Sequence, residues 1–152
     1  MERLRLTVSR TREVISRSGY RRRNITLENN KRVLVIDDEA HIRRVIELKF
    51  KNQGYQVITA TNGEEGLDLI KSQQPDVVIT DIMMPKLDGR ALCEQANELK
   101  EDRPFLTIVM TCRISPTEQD WISQLQDTVF VEKPFSLQTI LKCVDQYFGN
   151  HE

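Results

Sequence analysis

Short apolar runs alternate with longer amphipathic segments along most of the chain, and this alternation is the strongest constraint on its fold. Five runs have the length and β-branched content of buried strands, at residues 32–37, 55–60, 76–81, 105–111 and 129–132. The segments that follow them repeat apolar residues at helical spacing, which predicts helices at 42–50, 64–72, 89–100, 116–126 and 137–148. Regular strand-helix alternation with continuous apolar strands indicates an α/β fold, in which helices cover both faces of a parallel sheet.

Length and composition fit one globular domain with a single sizeable core. The chain has 152 residues, of which 39% are hydrophobic and 30% are charged. No apolar run approaches the ~20 residues that cross a membrane, and the N-terminus lacks the apolar core of a signal peptide. Cys93, Cys112 and Cys143 lack metal-ligand spacing, so we expect reduced thiols and a cytoplasmic location.

The first 30 residues differ in charge from the rest of the chain. They hold eight Arg and three Glu, a net charge of +5, whereas the other 122 residues hold 14 basic and 20 acidic groups, a net charge of −6. Because few of them are apolar, we expect residues 1–30 to form a mostly disordered arm before a folded domain at 31–149 and a tail at 150–152. Such an arm can bind nucleic acid or an acidic membrane, but it lacks interleaved aromatic residues. A solvated tail is therefore the simpler interpretation, and nucleic acid is not favoured as a partner.

Polar residues follow four of the predicted strands, at the point where each strand ends. They are three acids after the first strand, one acid after the third, a hydroxyl after the fourth and an ammonium after the fifth: Asp37, Asp38, Glu39, Asp81, Thr111 and Lys133. In open α/β sheets, ligands bind in the crevice outside the carboxyl ends of the strands. The sequence therefore predicts that these side chains converge on one edge of the sheet.

The chemistry of these side chains is that of a site for a cation and a phosphoryl group. Clustered carboxylates suit a hard divalent cation, above all Mg²⁺, which takes one or two carboxylates together with waters and phosphate oxygens. One carboxylate is then free to act as a nucleophile and to form an aspartyl phosphate. The ammonium of Lys133 and the hydroxyl of Thr111 can each stabilise an oxygen of the transferred group. Each residue alone has a simpler interpretation, such as helix capping by Asp37 and Asp38.

At these positions the sequence resembles the response regulator receiver domains of two-component signalling. The resemblance covers roughly residues 31–149 and lies in VLVIDDEAHIRRVIELKFKNQGYQV, PDVVITDIMMPKLDGRALCEQ, FLTIVMT and VFVEKPFSLQTI. It implies a flavodoxin-like (βα)5 fold, with a doubly wound five-stranded parallel sheet in the order 2-1-3-4-5. With no effector segment after residue 152, we expect a receiver that acts alone.

The resemblance also implies a role for each acid of the site. Asp81 would be the phosphoacceptor, and Asp37 and Asp38 would bind Mg²⁺ together with Asp81. The backbone carbonyl of Met83 would complete the protein ligands of the metal. A histidine kinase or a histidine phosphotransfer protein would donate the phosphoryl group. The domain would then be a signalling phosphoprotein that catalyses only its own phosphorylation and dephosphorylation.

Three further residues would carry the response to phosphorylation. Lys133, whose bond to Pro134 is typically cis in such proteins, matches the lysine that contacts the phosphoryl group. Thr111 matches the switch hydroxyl, and Phe130 matches the switch aromatic that turns inward when the hydroxyl moves. The faces of helix 4, strand 5 and helix 5 would then repack and engage a downstream protein partner.

The chain departs from the family's usual pattern at two places. Cys112 stands where the family usually has Ala or Gly, so its larger side chain could shield the aspartyl phosphate from water or hinder the donor. Gln126 and Asp127 stand where a Gly-Ala pair usually forms the turn into strand 5, so that turn must be built in another way. Trp121, on the fourth helix, is expected to pack against the core rather than to anchor a partner.

Three alternative functions stay open at this point. A receiver-like interaction module could work without phosphorylation, although the chain keeps all five residues of the phosphoryl site. A hydrolase of the haloacid-dehalogenase type would place its nucleophile after the first strand in a DxD pattern, which IDDEA lacks. A DNA-binding regulator would depend on the basic arm alone.

Overall fold

Strands and helices alternate along the chain in the computed structural model, which describes residues 30–83, 86–112 and 114–150. The strands are β1 (Arg32–Ile36), β2 (Gln56–Ala60), β3 (Val77–Asp81), β4 (Leu106–Thr111) and β5 (Thr128–Glu132). The helices are α1 (Ala40–Asn52), α2 (Gly63–Gln73), α3 (Gly89–Leu99), α4 (Pro116–Ile122) and α5 (Leu137–Asn150). The predicted alternation is confirmed, while nearly all of the predicted arm lies outside the described residues.

The five strands form one parallel sheet in the order β2-β1-β3-β4-β5. The order implied by the family resemblance is therefore confirmed. The chain first builds outward from β1 to β2 and then returns to add β3 on the other side of β1. This reversal makes the carboxyl ends of β1 and β3 neighbours, at the position where open α/β sheets bind ligands.

Alternate residues of each strand supply the two layers of the core. In β1, Val33 and Val35 join the cluster under α1 and α5, whereas Leu34 and Ile36 join the cluster under α2 and α3. All four side chains are fully buried. A strand buried on both faces reads as a continuous apolar run, which explains why the five strands could be identified from sequence.

Helix α4 is shorter than predicted and is the one element whose predicted extent is wrong. The prediction placed it at 116–126, but the α-helical pattern ends at Ile122. The next amides bond three residues back rather than four: Gln124 donates to the carbonyl of Trp121, and Leu125 donates to that of Ile122. The other elements begin and end within two residues of their predicted positions. Within the described residues, no helix combines the length and apolar character needed to cross a bilayer.

Candidate functional site

Three carboxylates meet at the carboxyl ends of β1 and β3. One carboxylate oxygen from each of Asp37, Asp38 and Asp81 lies within 4.8 Å of the others. Asp37 and Asp81 are buried, whereas Asp38 is exposed. The three residues, called the acid cluster below, are brought together because β1 and β3 pair in parallel and end at the same edge of the sheet.

Asp37 has one satisfied and one unsatisfied carboxylate oxygen. Its Oδ1 accepts a hydrogen bond of 2.8 Å from the backbone N–H of Glu39, while its buried Oδ2 has no hydrogen-bond partner among the described residues. Burial raises the pKa of Asp37 and the charge of Asp81 adds to the rise, whereas the Glu39 N–H and Lys133 oppose it. A buried oxygen without a protein partner, beside two more carboxylates, is the donor set that a hard divalent cation requires. The residues present therefore fit Mg²⁺.

Lys133 reaches the acid cluster from the end of β5. Its Nζ lies 3.4 Å from Oδ2 of Asp81 and 4.0 Å from Oε1 of Glu39. The backbone N–H of Lys133 donates to the carbonyl of Thr111 at 2.7 Å, which extends the β4–β5 pairing up to the site. The Lys133–Pro134 peptide bond is cis, as the family resemblance implied. The ammonium offsets part of the repulsion among the acids. Of the two carboxylates that it contacts, that of Asp81 is the nearer.

The backbone around Asp81 is held by the neighbouring strand and by α3. The N–H of Ile82 donates to the carbonyl of Met110 at 3.1 Å, and the N–H of Gly89 donates to the carbonyl of Ile82 at 3.0 Å. A Cβ at Gly89 would overlap the backbone of Asp81 and Ile82, so this position requires glycine. The N–H of Met83 lies 3.5 Å from Oδ1 of Asp81. The role of the Met83 carbonyl as a metal ligand remains a prediction.

The two predicted switch residues lie on adjacent strands at different distances from the sheet edge. Thr111 is buried at the last position of β4, one residue beyond the register partner of Asp81. Phe130 is half-buried on β5 opposite Val109, two residues before the partner of Thr111. The ring of Phe130 packs near that of Trp121, with centroids 6.3 Å apart. The structure thus brings Thr111 to the edge that carries the acid cluster and places Phe130 deeper, against the α4 side.

Trp121 and Cys112 have different environments. Trp121 is buried in a cluster with Cys93 and Val109, which confirms that it packs against the core. Cys112 is exposed, directly after Thr111.

Sequence reasoning missed Arg43, whose Nη1 donates to the backbone carbonyl of Asp37 at 2.7 Å. No local signal distinguishes this arginine from the other basic residues of α1, because the contact depends on how α1 packs beside β1.

Comparison with known families agrees with the geometry. A family model described as the response regulator receiver domain matches residues 33–145. A Guillardia theta protein named probable transcriptional regulator ycf27 is 42% identical over 113 residues, which are 74% of this chain and 43% of that protein. Response regulator MprA of Mycolicibacterium vanbaalenii is 38% identical over 110 residues, or 72% of this chain and 47% of that protein. The chain thus spans about half the length of the curated relatives that it matches.

Solved structures show the same fold. The chemotaxis protein CheY4 of Vibrio cholerae matches with a TM-score of 0.71 and 26% identity, over 78% of this chain and 98% of that one. A CheY-like receiver domain from Methanospirillum hungatei matches with a TM-score of 0.73 and 24% identity, over 80% of this chain and 96% of that one. The predicted flavodoxin-like architecture therefore has close counterparts among solved structures.

Proposed function

Because this chain belongs to the response regulator receiver family of two-component signalling, we propose that it accepts a phosphoryl group on Asp81 in a Mg²⁺-dependent reaction. The observation that carries the proposal is the convergence of three segments on one carboxylate. Asp37 and Asp38 lie with Asp81 in a cluster of carboxylate oxygens within 4.8 Å, and Nζ of Lys133 lies 3.4 Å from Oδ2 of Asp81. This arrangement supports phosphoryl transfer because charge on the incoming oxygens needs cations on more than one side.

The proposed donor is a phosphohistidine of a histidine kinase or of a histidine phosphotransfer protein. A carboxylate oxygen of Asp81 forms the new bond to phosphorus, the phosphorus–nitrogen bond breaks, and the donor imidazole keeps the electron pair and takes up a proton. The acid cluster and the Met83 carbonyl would hold Mg²⁺, which would neutralise negative charge on the phosphoryl oxygens. Lys133 holds a second phosphoryl oxygen from the end of β5, where its Nζ already contacts Asp81. Hydrolysis of the aspartyl phosphate by water then resets the domain.

The proposed output is a change in the surface formed by α4, β5 and α5. The hydroxyl of Thr111, buried at the end of β4, moves toward the phosphoryl oxygens and leaves space into which Phe130 turns. A local charge that biases a two-state element in this way is sufficient for a switch. The downstream partner is a protein that binds one of the two arrangements. A cytoplasmic location belongs to the same proposal.

Phosphorylation by a small donor tests the proposal. With Mg²⁺ and acetyl phosphate, the wild-type chain should acquire a phosphate that is labile to base and to hydroxylamine. Asp81→Asn should acquire none, while Asp68→Asn, at an exposed position of α2, should behave like wild type. Chelation of Mg²⁺ should abolish the reaction. If the folded wild-type chain acquires no phosphate, the result would favour the phosphorylation-independent interaction module instead.

A role in transcription is a second candidate, supported by the names of the relatives. The proteins from Guillardia theta, Porphyridium aerugineum and Porphyra purpurea are named probable transcriptional regulators, and the chain spans about half of their length. DNA binding through the basic arm would give a duplex affinity that falls steeply with salt and that is lost when residues 1–30 are deleted. An affinity that is weak and unchanged by the deletion would exclude the arm as a DNA contact.

A further inference from the structure

Helix α3 and the residue at its C-cap, Lys100, present a row of polar side chains to α4 and to the turn that leads into β5. The row, called the α3 stripe below, recurs at helical spacing and consists of Arg90, Glu94, Asn97 and Lys100. Each member contacts a residue between 121 and 128. The hydrogen bonds among these contacts join residues that are 26 or more positions apart in the sequence. The stripe therefore joins α3 to the segment from the end of α4 to the start of β5.

The first half of the stripe holds Trp121. The indole Nε1 of Trp121 donates to Oε2 of Glu94 at 2.9 Å, and the guanidinium of Arg90 lies 4.7 Å from the centroid of the indole ring. Nε of Arg90 is 3.6 Å from the same carboxylate oxygen of Glu94. The indole is thus fixed by a charge-assisted hydrogen bond at its edge and by a cation over its face, and its centroid lies 6.3 Å from that of the Phe130 ring.

The second half of the stripe holds the turn after α4. The backbone N–H of Gln126 donates to Oδ1 of Asn97 at 2.8 Å. Nζ of Lys100 donates to the carbonyl of Gln126, to the carbonyl of Asp127 at 3.0 Å and to Oγ1 of Thr128 at 3.1 Å. Lys100 is only 3% exposed, so its ammonium depends on these three oxygens. Asp127 adopts a left-handed backbone with φ of 45°, a conformation that costs energy for a residue other than glycine.

Helix α3 contacts both the proposed phosphorylation site and the proposed switch. At its start, Gly89 packs against the backbone of Asp81 and Ile82. In its first two turns, Arg90 and Glu94 fix Trp121, which packs near Phe130, so Phe130 would change its packing against this indole on turning inward. A group that immobilises Trp121 and the turn into β5 therefore resists the rearrangement that phosphorylation of Asp81 is proposed to cause.

We infer that the α3 stripe is a latch that holds α4 and the turn into β5 in the unphosphorylated arrangement, with Glu94 and Lys100 as positioning residues of the switch. The inference rests on the proposed function for its link to phosphorylation, but the latch itself is a property of the unphosphorylated chain. The latch acts through hydrogen bonds and a cation–ring contact, which can break and re-form, between the α3 stripe and residues 121–128. Its loss shifts the population toward the arrangement that phosphorylation favours.

Hydrogen exchange of the unphosphorylated chain tests the latch directly. Glu94→Leu removes the acceptor of the Trp121 indole, and Lys100→Met removes the donors to the turn. Each variant should speed the exchange of backbone amides in residues 121–130 by about tenfold. Glu98→Leu, the same substitution at an exposed position of α3, should leave that exchange unchanged. Wild-type exchange rates in both Glu94→Leu and Lys100→Met, with native circular dichroism, would overturn the latch.

The rate of phosphorylation separates positioning from a merely structural role. With Mg²⁺ and acetyl phosphate, Glu94→Leu should take up phosphate about three- to tenfold faster than wild type, because less free energy opposes the phosphorylated arrangement. Glu94→Gln keeps an oxygen acceptor for the indole and should stay near the wild-type rate. Equal rates for Glu94→Leu and wild type would overturn the link to switching. If wild type takes up no phosphate, the proposed function fails, and the exchange experiment still decides whether the latch exists.

Discussion

The acid cluster and the α3 stripe are both polar, but their buried groups are satisfied to different degrees. In the acid cluster, the buried Oδ2 of Asp37 has no hydrogen-bond partner among the described residues, and burial raises the pKa of that carboxyl. In the α3 stripe, the ammonium of Lys100 has three oxygen acceptors. A site that binds a ligand has polar groups without hydrogen-bond partners in the protein, which the ligand can then supply. In a latch, the protein itself supplies the hydrogen-bond partners.

The largest effect is expected from removing the ammonium of Lys133, which lies beside the acid cluster. Lys133→Met should slow phosphate uptake from acetyl phosphate by about 10²–10³-fold, because one of the groups that neutralise the phosphoryl oxygens is lost. The initial rate of uptake at saturating Mg²⁺ measures the effect. Lys142→Met, at an exposed position of α5, is the matched control and should react like wild type. A Lys133→Met rate within a few-fold of wild type would remove Lys133 from the site.

The pH dependence of stability tests whether Lys100 of the α3 stripe is a buried ammonium. Burial lowers the pKa of Lys100 to about 8 from its ordinary 10.5, although Cys93 and Asp127 favour the charged form. Between pH 8 and 10.5, Lys100 stays protonated in the unfolded chain but loses its proton in the folded chain. The free energy of unfolding therefore rises with pH over this range. We expect wild type to gain up to about 3 kcal/mol relative to Lys100→Met between pH 7.5 and 10.5.

Urea unfolding at several pH values measures this difference. The comparison with Lys100→Met cancels the titration of the other lysines, tyrosines and cysteines, which both chains share. A difference that stays flat, or that falls as the pH rises, would show that Lys100 is not a buried ammonium.

Neutralising the unsatisfied acid should have opposite effects on stability and on metal binding. Asp37→Asn removes a buried charge whose Oδ2 has no hydrogen-bond partner among the described residues, so the free energy of unfolding without metal should rise by about 1–3 kcal/mol. The same change should remove most of the stabilisation that Mg²⁺ gives to wild type. Thermal unfolding with and without Mg²⁺ reads out both effects. Destabilisation of the metal-free Asp37→Asn chain would mean that Asp37 is satisfied in the fold.

The smallest effect is expected at Cys112, which is exposed and directly follows Thr111, the last residue of β4. Cys112→Ala should change the free energy of unfolding by no more than about 0.5 kcal/mol, as for other surface substitutions. If the side chain shields the aspartyl phosphate from water, the same change should shorten the lifetime of the phosphate. An unchanged lifetime would reject the shielding role.

The contrast between the two regions also explains what could be predicted from sequence. Strand ends in a parallel sheet meet at one edge, so the positions of Asp37, Asp38, Asp81 and Lys133 followed from the alternation of strands and helices alone. The α3 stripe could not be found in this way. Its contacts join Asn97 to Gln126, and each residue alone reads as an ordinary charged or polar position on a helix surface or in a turn.

The end of α4 was mispredicted for a related reason. Apolar and polar residues continue past Ile122 in a pattern compatible with a helix, but Leu125 bonds only three residues back and Asp127 turns to positive φ. The acceptors and donors that stabilise this turn come from Asn97 and Lys100 on another helix. Tertiary contacts of this kind override local preference and leave no trace in the local sequence.

Locating the phosphate tests the central claim most directly. The chain is phosphorylated with acetyl phosphate and Mg²⁺ and then treated with borohydride, which reduces an aspartyl phosphate to homoserine, and its peptides are mapped by mass spectrometry. We expect homoserine at position 81 alone, with no conversion when Mg²⁺ is chelated. Homoserine at position 37 or 38, or an unmodified Asp81 in a chain that carries phosphate elsewhere, would contradict the account.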